Sequence, residues 1–324
     1  MAEFLSLSAA ISRLVAPGAS VALEGFTHLI PFAAGHEIIR QELTGLTLIR
    51  MTPDLLYDQM IGCGCARKLV FSWGGNPGVG SLHRFRDAVE HGWPHPLDIE
   101  AHSHAAMALA YAAGASGMPC AIFREYFGSD LVQANPRIQF VTCPFTGERL
   151  AAVPALKPDV AVIHAQKADR RGNVLVSGIV GVQKEAVLAA GAAIVTVEEI
   201  VDDLETEGTN AVVLPSWTID AVVLAPGGAR PSYAHGYYQR DNTFYTRWDE
   251  ISRDRKSFRQ WIDREVRRVG GPAIAADSVL ALVPGHCRET LLAHPDATRP
   301  ASEFSSCASR ARGRQCSSMT ERLR

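Results

Sequence analysis

The chain has 324 residues, 47% hydrophobic and 20% charged, an ordinary composition for a globular protein that can bury a full core. A formal charge of −2 gives no bulk attraction for nucleic acid or an anionic membrane. No apolar run approaches the roughly 18 residues of a membrane span. The start Met1-Ala2-Glu3-Phe4 lacks the regions of a signal peptide, so a cytoplasmic location is expected.

In chain order, Ser8–Val15 is amphipathic and stops at Ala16-Pro17-Gly18, which predicts a short helix. Apolar runs of strand length follow at Val21–Leu23, Leu46–Met51, Leu69–Phe71, Ala121–Phe123, Ile138–Val141, Val160–His164, Ala193–Val197 and Ala221–Ala225. Helical patterns separate several of them, at Pro31–Gln41, His102–Ala115 and Lys184–Ala190. Buried strands alternating with helices predict an α/β fold, an open and mostly parallel sheet with helices on both faces.

Two strand–loop–helix units stand out. Val21–Leu23 ends at Gly25, and Pro31 sits where a first helical turn begins. The second is Ser72-Trp73-Gly74-Gly75-Asn76-Pro77-Gly78-Val79-Gly80-Ser81, where four glycines and a proline exclude helix and strand. Glycine lets a ligand approach backbone N–H groups, and loops at the carboxyl ends of parallel strands are where open α/β sheets bind ligands. The candidate site residues are therefore Gly25, Phe26, Thr27, His28, Ser72, Gly74, Gly75 and Asn76. The plainer alternative is that both loops are surface turns.

Seven cysteines, an odd number spread over a long chain, do not form a small disulfide framework. Cys63 and Cys65 form a C-x-C with no second pair at zinc-finger spacing. His102 and His104 would share a face on a strand, but no third ligand is identifiable, so no metal is expected.

One domain is expected over residues 1–265, with a divergent C-terminal tail over 266–324. From about residue 287 the tail has seven arginines, four acidic residues and no lysine, with few apolar side chains, which predicts disorder.

Several long segments, in order, resemble the alpha (A) subunit of the family I coenzyme A transferases. They are Val21–Gln41, Met51–Ser81, Asn135–Glu148 with Cys143-Pro144-Phe145, Val153–Asn173, Val197–Asp203 and Ala225–Tyr245. The similarity runs nearly unbroken from Leu5 to about Arg264 and stops at the tail, which a reading-frame shift or a lineage-specific extension would equally explain. The resemblance implies transfer of CoA from succinyl-CoA to 3-oxoadipate, a substituted 3-oxoadipate or another short dicarboxylate such as glutaconate. It also implies no cofactor beyond the CoA thioester substrate and a heteromer with a B subunit carrying the nucleophilic glutamate. No catalytic residue is then expected in this chain, and Glu24, Glu100 and Glu125 read as structural or solvated carboxylates. Arg84, Arg124 and His28 are candidates to meet the acceptor's second carboxylate, while Tyr233, Tyr237 and Tyr238 read as packing. An acyl-CoA hydrolase and a ligand-sensing module without turnover remain alternative readings.

Overall fold

The structure, a computed structural model, describes residues 2–77, 80–205 and 210–268. Apart from its first three residues, the expected tail lies outside the described residues, and so does the disorder expected there. The strands are β1 (Glu3–Phe4), β2 (Ser20–Glu24), β3 (Leu46–Arg50), β4 (Ala66–Phe71), β5 (Asp98–Ala101), β6 (Cys120–Phe123), β7 (Gln139–Thr142), β8 (Arg149–Pro154), β9 (Val160–Asp169), β10 (Val174–Val176), β11 (Ala192–Val201), β12 (Val212–Leu214) and β13 (Ala221–Leu224). The helices are α1 (Leu7–Leu14), α2 (Phe32–Arg40), α3 (Leu55–Gly62), α4 (His83–His91), α5 (His104–Ala115), α6 (Leu131–Ala134), α7 (Gln183–Ala189), α8 (Asn242–Arg253) and α9 (Arg255–Trp261). A π-helical turn, Ile262–Arg267, continues α9 across the expected domain boundary.

The main sheet runs β1-β13-β11-β9-β2-β3-β4-β5, and every neighbouring pair along that path is parallel. Parallel strands covered on both faces read as continuous apolar runs, and β9 is of this kind, with only Lys167 partly exposed. Beyond the sheet's carboxyl edge β9 turns back through the antiparallel β10, which pairs with β12.

Alternate residues set the two faces. Val21 and Leu23 of β2, Val160 and Val162 of β9 and Ala221 and Val223 of β13 join a core with α1, α2 and α3. On the other face lies α5, whose Tyr111 reaches Glu24 at the end of β2, packed against α7. Side-chain caps fix where the helices start: Ser6 for α1, Asp54 for α3, Ser103 for α5, Asp241 for α8 and Asp254 for α9.

The expected strands Ala121–Phe123 and Ile138–Val141 exist, but as β6 and β7 of a separate antiparallel sheet, order β6-β8-β7. Its small core comprises Ala106, Ala110, Ala151, Val153 and their neighbours. No helix among the described residues is long and apolar enough to cross a membrane.

Candidate functional site

The carboxyl ends of β2 and β13 lie level with the middle of β9 and β11, because Glu24 pairs with Ile163, Thr196 with His164, and Leu224 with Val197, while β9 and β11 run on to Asp169 and Val201. The chain leaves β2 through Gly25, Phe26, Thr27 and His28. A Cβ on Gly25 would stand 2.7 Å from the Leu29 carbonyl oxygen and 2.9 Å from the Ile30 Cα, so the glycine lets its own loop fold back. Thr27 and Leu29 take positive φ of 58° and 53°, a conformation that costs non-glycine residues energy and that the surroundings must hold. In this shape the amides of Phe26, Thr27 and His28 donate to no group among the described residues. His28 is buried, but Phe26 and Thr27 are part-exposed and exposed, and two successive backbone donors at a strand's carboxyl end suit an oxyanion or a carboxylate.

A buried ionic group underlies the loop. Arg50, at the end of β3, donates from Nη2 to the Gly25 carbonyl at 2.8 Å and from Nη1 to Asp54 at 3.0 Å. Glu24 accepts from the Tyr111 hydroxyl at 2.8 Å and from the Met51 amide at 3.1 Å. Burial pushes the Glu24 carboxyl up to about 7, against the opposing pull of Arg50, Tyr111 and the Met51 and Gly25 amides.

His28 is fully buried beneath the loop. It packs on Tyr233 with ring centroids 4.6 Å apart, its Nε2 accepts from the His235 amide at 3.1 Å, and its Nδ1 faces the Ile179 carbonyl at 3.4 Å. Those contacts assign the proton to Nδ1, and burial, which outweighs the Ile179 hydrogen bond, lowers the imidazole to about 4. His28 is thus a neutral spacer, unsuited to the expected role of a cation for a carboxylate. The segment after β13 closes over it: Leu29 N donates to Tyr233 O at 3.0 Å and Ser232 Oγ to Thr27 O at 3.1 Å. That segment is itself anchored on Glu198 of β11, which accepts from Gly227 N at 2.7 Å and from Tyr238 Oη at 2.6 Å, and meets His164 Nε2 at 2.7 Å. Burial alone would raise the Glu198 carboxyl, but these three partners hold it below the ordinary range.

The glycine-rich loop is engaged differently. Gly75 N donates to Pro53 O at 3.1 Å, and the Ser72 and Trp73 amides both donate to Met51 O, at 3.2 and 3.3 Å. A Cβ on Gly75 would meet the Trp73 ring at 2.5 Å, so the side chain lies where the sequence reading places a ligand. Asn76 is buried and donates from Nδ2 to Tyr245 O at 2.8 Å, which leaves its Oδ1 without a partner among the described residues. Ser72 Oγ bonds Met51 O at 2.6 Å and lies 3.1 Å from His104 Nδ1. At Gly74 an added Cβ would make ordinary van der Waals contact, 3.6 Å from the Phe85 ring and 3.8 Å from the Phe71 ring. Gly78 and Val79 lie outside the described residues.

The other candidates are spoken for. Arg84 is buried against Asp87 and the Arg253 carbonyl, and Arg124 pairs with Glu148. Glu100 pairs with Lys68 and His102, while Glu125 accepts from Ser103. His102 and His104 do not share a strand, because Ser103 between them is the cap of α5. Tyr237 and Tyr238 are more than packing, since their hydroxyls donate to Glu199 and Glu198. The sequence reading does not single out Arg50, His164 or Glu198, although each is a polar residue closing or interrupting an apolar strand run.

The open, mostly parallel sheet, with the amide loop at its carboxyl edge and buried carboxylates beneath it, places the chain in the open α/β class. Residues 4–225 match the family described as Coenzyme A transferase. The chain is 66% identical over 267 residues to the A subunit of 3-oxoadipate CoA-transferase from Pseudomonas knackmussii, covering 82% of this chain and 94% of the relative. It is 31% identical to the A subunit of glutaconate CoA-transferase from Acidaminococcus fermentans, covering 88% and 96%. The crystal structure of glutaconate coenzyme A-transferase from that organism superposes with a TM-score of 0.77, covering 88% of this chain and 94% of the other. A variant of the decarboxylase AibA/AibB, 30% identical, superposes at 0.71, covering 81% and 99%. The chain belongs to the coenzyme A transferase family.

Proposed function

We propose that the chain is the alpha (A) subunit of a CoA-transferase that moves CoA from succinyl-CoA to 3-oxoadipate or a substituted 3-oxoadipate, acting with a separate B subunit. The observation that carries this reading is the 66% identity to the corresponding subunit of a 3-oxoadipate CoA-transferase, over 94% of that relative. The site agrees in its chemistry. The buried carboxylates of Glu24 and Glu198 are held by hydrogen bonds, which suits bracing rather than attack. The B subunit's glutamate attacks the succinyl-CoA carbonyl carbon and expels CoA thiolate, leaving an acyl–glutamyl anhydride. The thiolate then takes the glutamyl carbon and releases succinate, and the acceptor carboxylate repeats the exchange in reverse order. The unpaired amides of Phe26 and Thr27, on the part-exposed stretch of the loop, are donors of the kind that stabilise the oxygen gaining charge as each carbonyl carbon becomes tetrahedral. Trp73 and Ile179, each 48% exposed, stand beside the two loops as apolar surface for the B subunit to cover.

The test is to purify the chain alone and co-expressed with B, then assay CoA transfer from succinyl-CoA with 3-oxoadipate present and absent. Activity is expected only from the pair and only with the acceptor. Turnover by the single chain rules out the two-subunit reading, and CoA release without an acceptor identifies a hydrolase.

A further inference from the structure

Away from the amide loop, a cavity of about 250 Å³ opens between α2, α3, the segment after β13 and the end of α9. Its wall includes His36, Gln59, Arg230, Phe244 and Trp261, with Asp241 and Glu265. Two features of this wall point to a ligand. Gln59 is fully buried, and although its Oε1 lies 2.8 Å from His36 Nε2, its Nε2 has no partner among the described residues. A buried amide N–H left unpaired costs about 1–3 kcal/mol, and Gln59 lines the cavity, so an acceptor bound there would offset that cost. Arg230 forms no ion pair among the described residues, yet it is held in place by stacking on Tyr238, 4.3 Å from the ring centroid. Its planar fork of donors is therefore oriented and unspent.

The acidic side chains on the wall do not compete for it. Asp241 accepts from the Phe244 amide as the cap of α8, and Glu265 pairs with Arg264. His36 is neutral near pH 7, because burial, opposed by its bond to Gln59, lowers it to about 4. The backbone widens here into the π-helical turn, whose Arg268 N reaches back to Asp263 O at 3.1 Å. Such turns often accompany sites. The volume lies just below the roughly 300–1,000 Å³ of sites for drug-sized ligands, which suits a small ligand.

We infer that this cavity binds a small organic carboxylate, with the Arg230 guanidinium and the Gln59 side-chain amide as its ligands and Trp261 and Phe244 as its apolar wall. The site is separate from the amide loop but joined to it through the backbone. The segment carrying Arg230 is the one whose Ser232, Tyr233 and His235 bond to Thr27, Leu29 and His28.

The purified full-length chain is titrated with succinate by calorimetry while tryptophan emission is followed. Saturable binding is expected, with an emission change that disappears in Trp261→Phe. Arg230→Met should weaken Kd at least tenfold, and Gln59→Leu should do the same. Arg230 is exposed, so its replacement leaves packing intact, and an unchanged Tm verifies this. Equal affinity in wild type and Arg230→Met overturns the assignment. So does the absence of saturable binding up to about 10 mM, or an emission change that survives Trp261→Phe.

Discussion

The buried guanidinium of Arg50 holds the carbonyl oxygen of Gly25 at 2.8 Å, across the gap between the ends of two neighbouring parallel strands. Glu24, one residue earlier, feels the charge of the same Arg50 and receives the Met51 amide. The first peptide of the amide loop is thereby fixed from beneath, and the exposed face of the loop is set by residues that touch no solvent.

Arg50→Met removes that support and leaves Asp54 buried without its ion-pair partner. Breaking one side of a buried pair costs about 3–5 kcal/mol, so urea unfolding of the variant should show a loss of that size. Arg50→Lys keeps the charge but loses the two-pronged reach to Asp54 and Gly25, and its loss should be intermediate. A wild-type midpoint for Arg50→Met would show that the pair contributes little to the fold.

Glu24 predicts a particular pH dependence. Its carboxyl titrates near 7 when folded and near 4.5 when unfolded. Between those values the folded state keeps a proton that the unfolded state has released, so stability from this group falls as pH rises and levels off above about 7. Glu24→Gln lacks this term. Relative to wild type, the variant should gain on the order of 3 kcal/mol between pH 4.5 and about pH 8, read from urea midpoints at a series of pH values. Parallel profiles for the two proteins would mean that Glu24 is ionised throughout.

Tyr238 joins the buried carboxylate of Glu198 to the segment after β13, donating to Glu198 at 2.6 Å and accepting from the Ala229 amide at 3.1 Å. Tyr238→Phe leaves that amide without its acceptor and removes the aromatic hydroxyl from Glu198, while Arg230 keeps a ring to stack on. A loss of about 1–3 kcal/mol is expected in thermal or urea unfolding. A change below about 0.5 kcal/mol would place the hydroxyl among surface groups, where substitutions have that size.

Much of the sheet was legible because its strands are buried on both faces. β9 and β11 carry runs of valine, isoleucine and alanine that no solvated element would sustain. Helix α3 was not legible, since all eight of its residues are buried and nothing in it alternates with the helical period. The antiparallel sheet was half seen: β6 and β7 read as strands, but their partner β8 begins with an exposed arginine and offers only a short apolar core. At the site, Gly25 and its neighbours were marked by the break in β2, whereas Arg50 and Glu198 acquire their roles only when distant strands align. Charge at a strand end has no local signature that separates a buried brace from a solvated terminus.

The two glycines marked in the sequence should respond differently to the same substitution. At Gly25 an added Cβ meets backbone, 2.7 Å from Leu29 O and 2.9 Å from Ile30 Cα, and backbone atoms there are tied to Tyr233. At Gly75 it meets the Trp73 ring at 2.5 Å, and that side chain is 48% exposed and free to swing outward. Gly25→Ala should therefore destabilise the protein by about 1–3 kcal/mol, as overpacking against atoms that cannot move does. It should also lower kcat/KM of the two-subunit enzyme at least tenfold (about 1.4 kcal/mol) by displacing the Phe26 and Thr27 amides. Gly75→Ala should change stability by less than about 1 kcal/mol and shift the Trp73 emission, because the ring moves into water. If the two variants lose stability and activity equally, the glycine-rich loop is as tightly packed as the amide loop, and the side chain of Trp73 is held in place by more than its contact with Gly75.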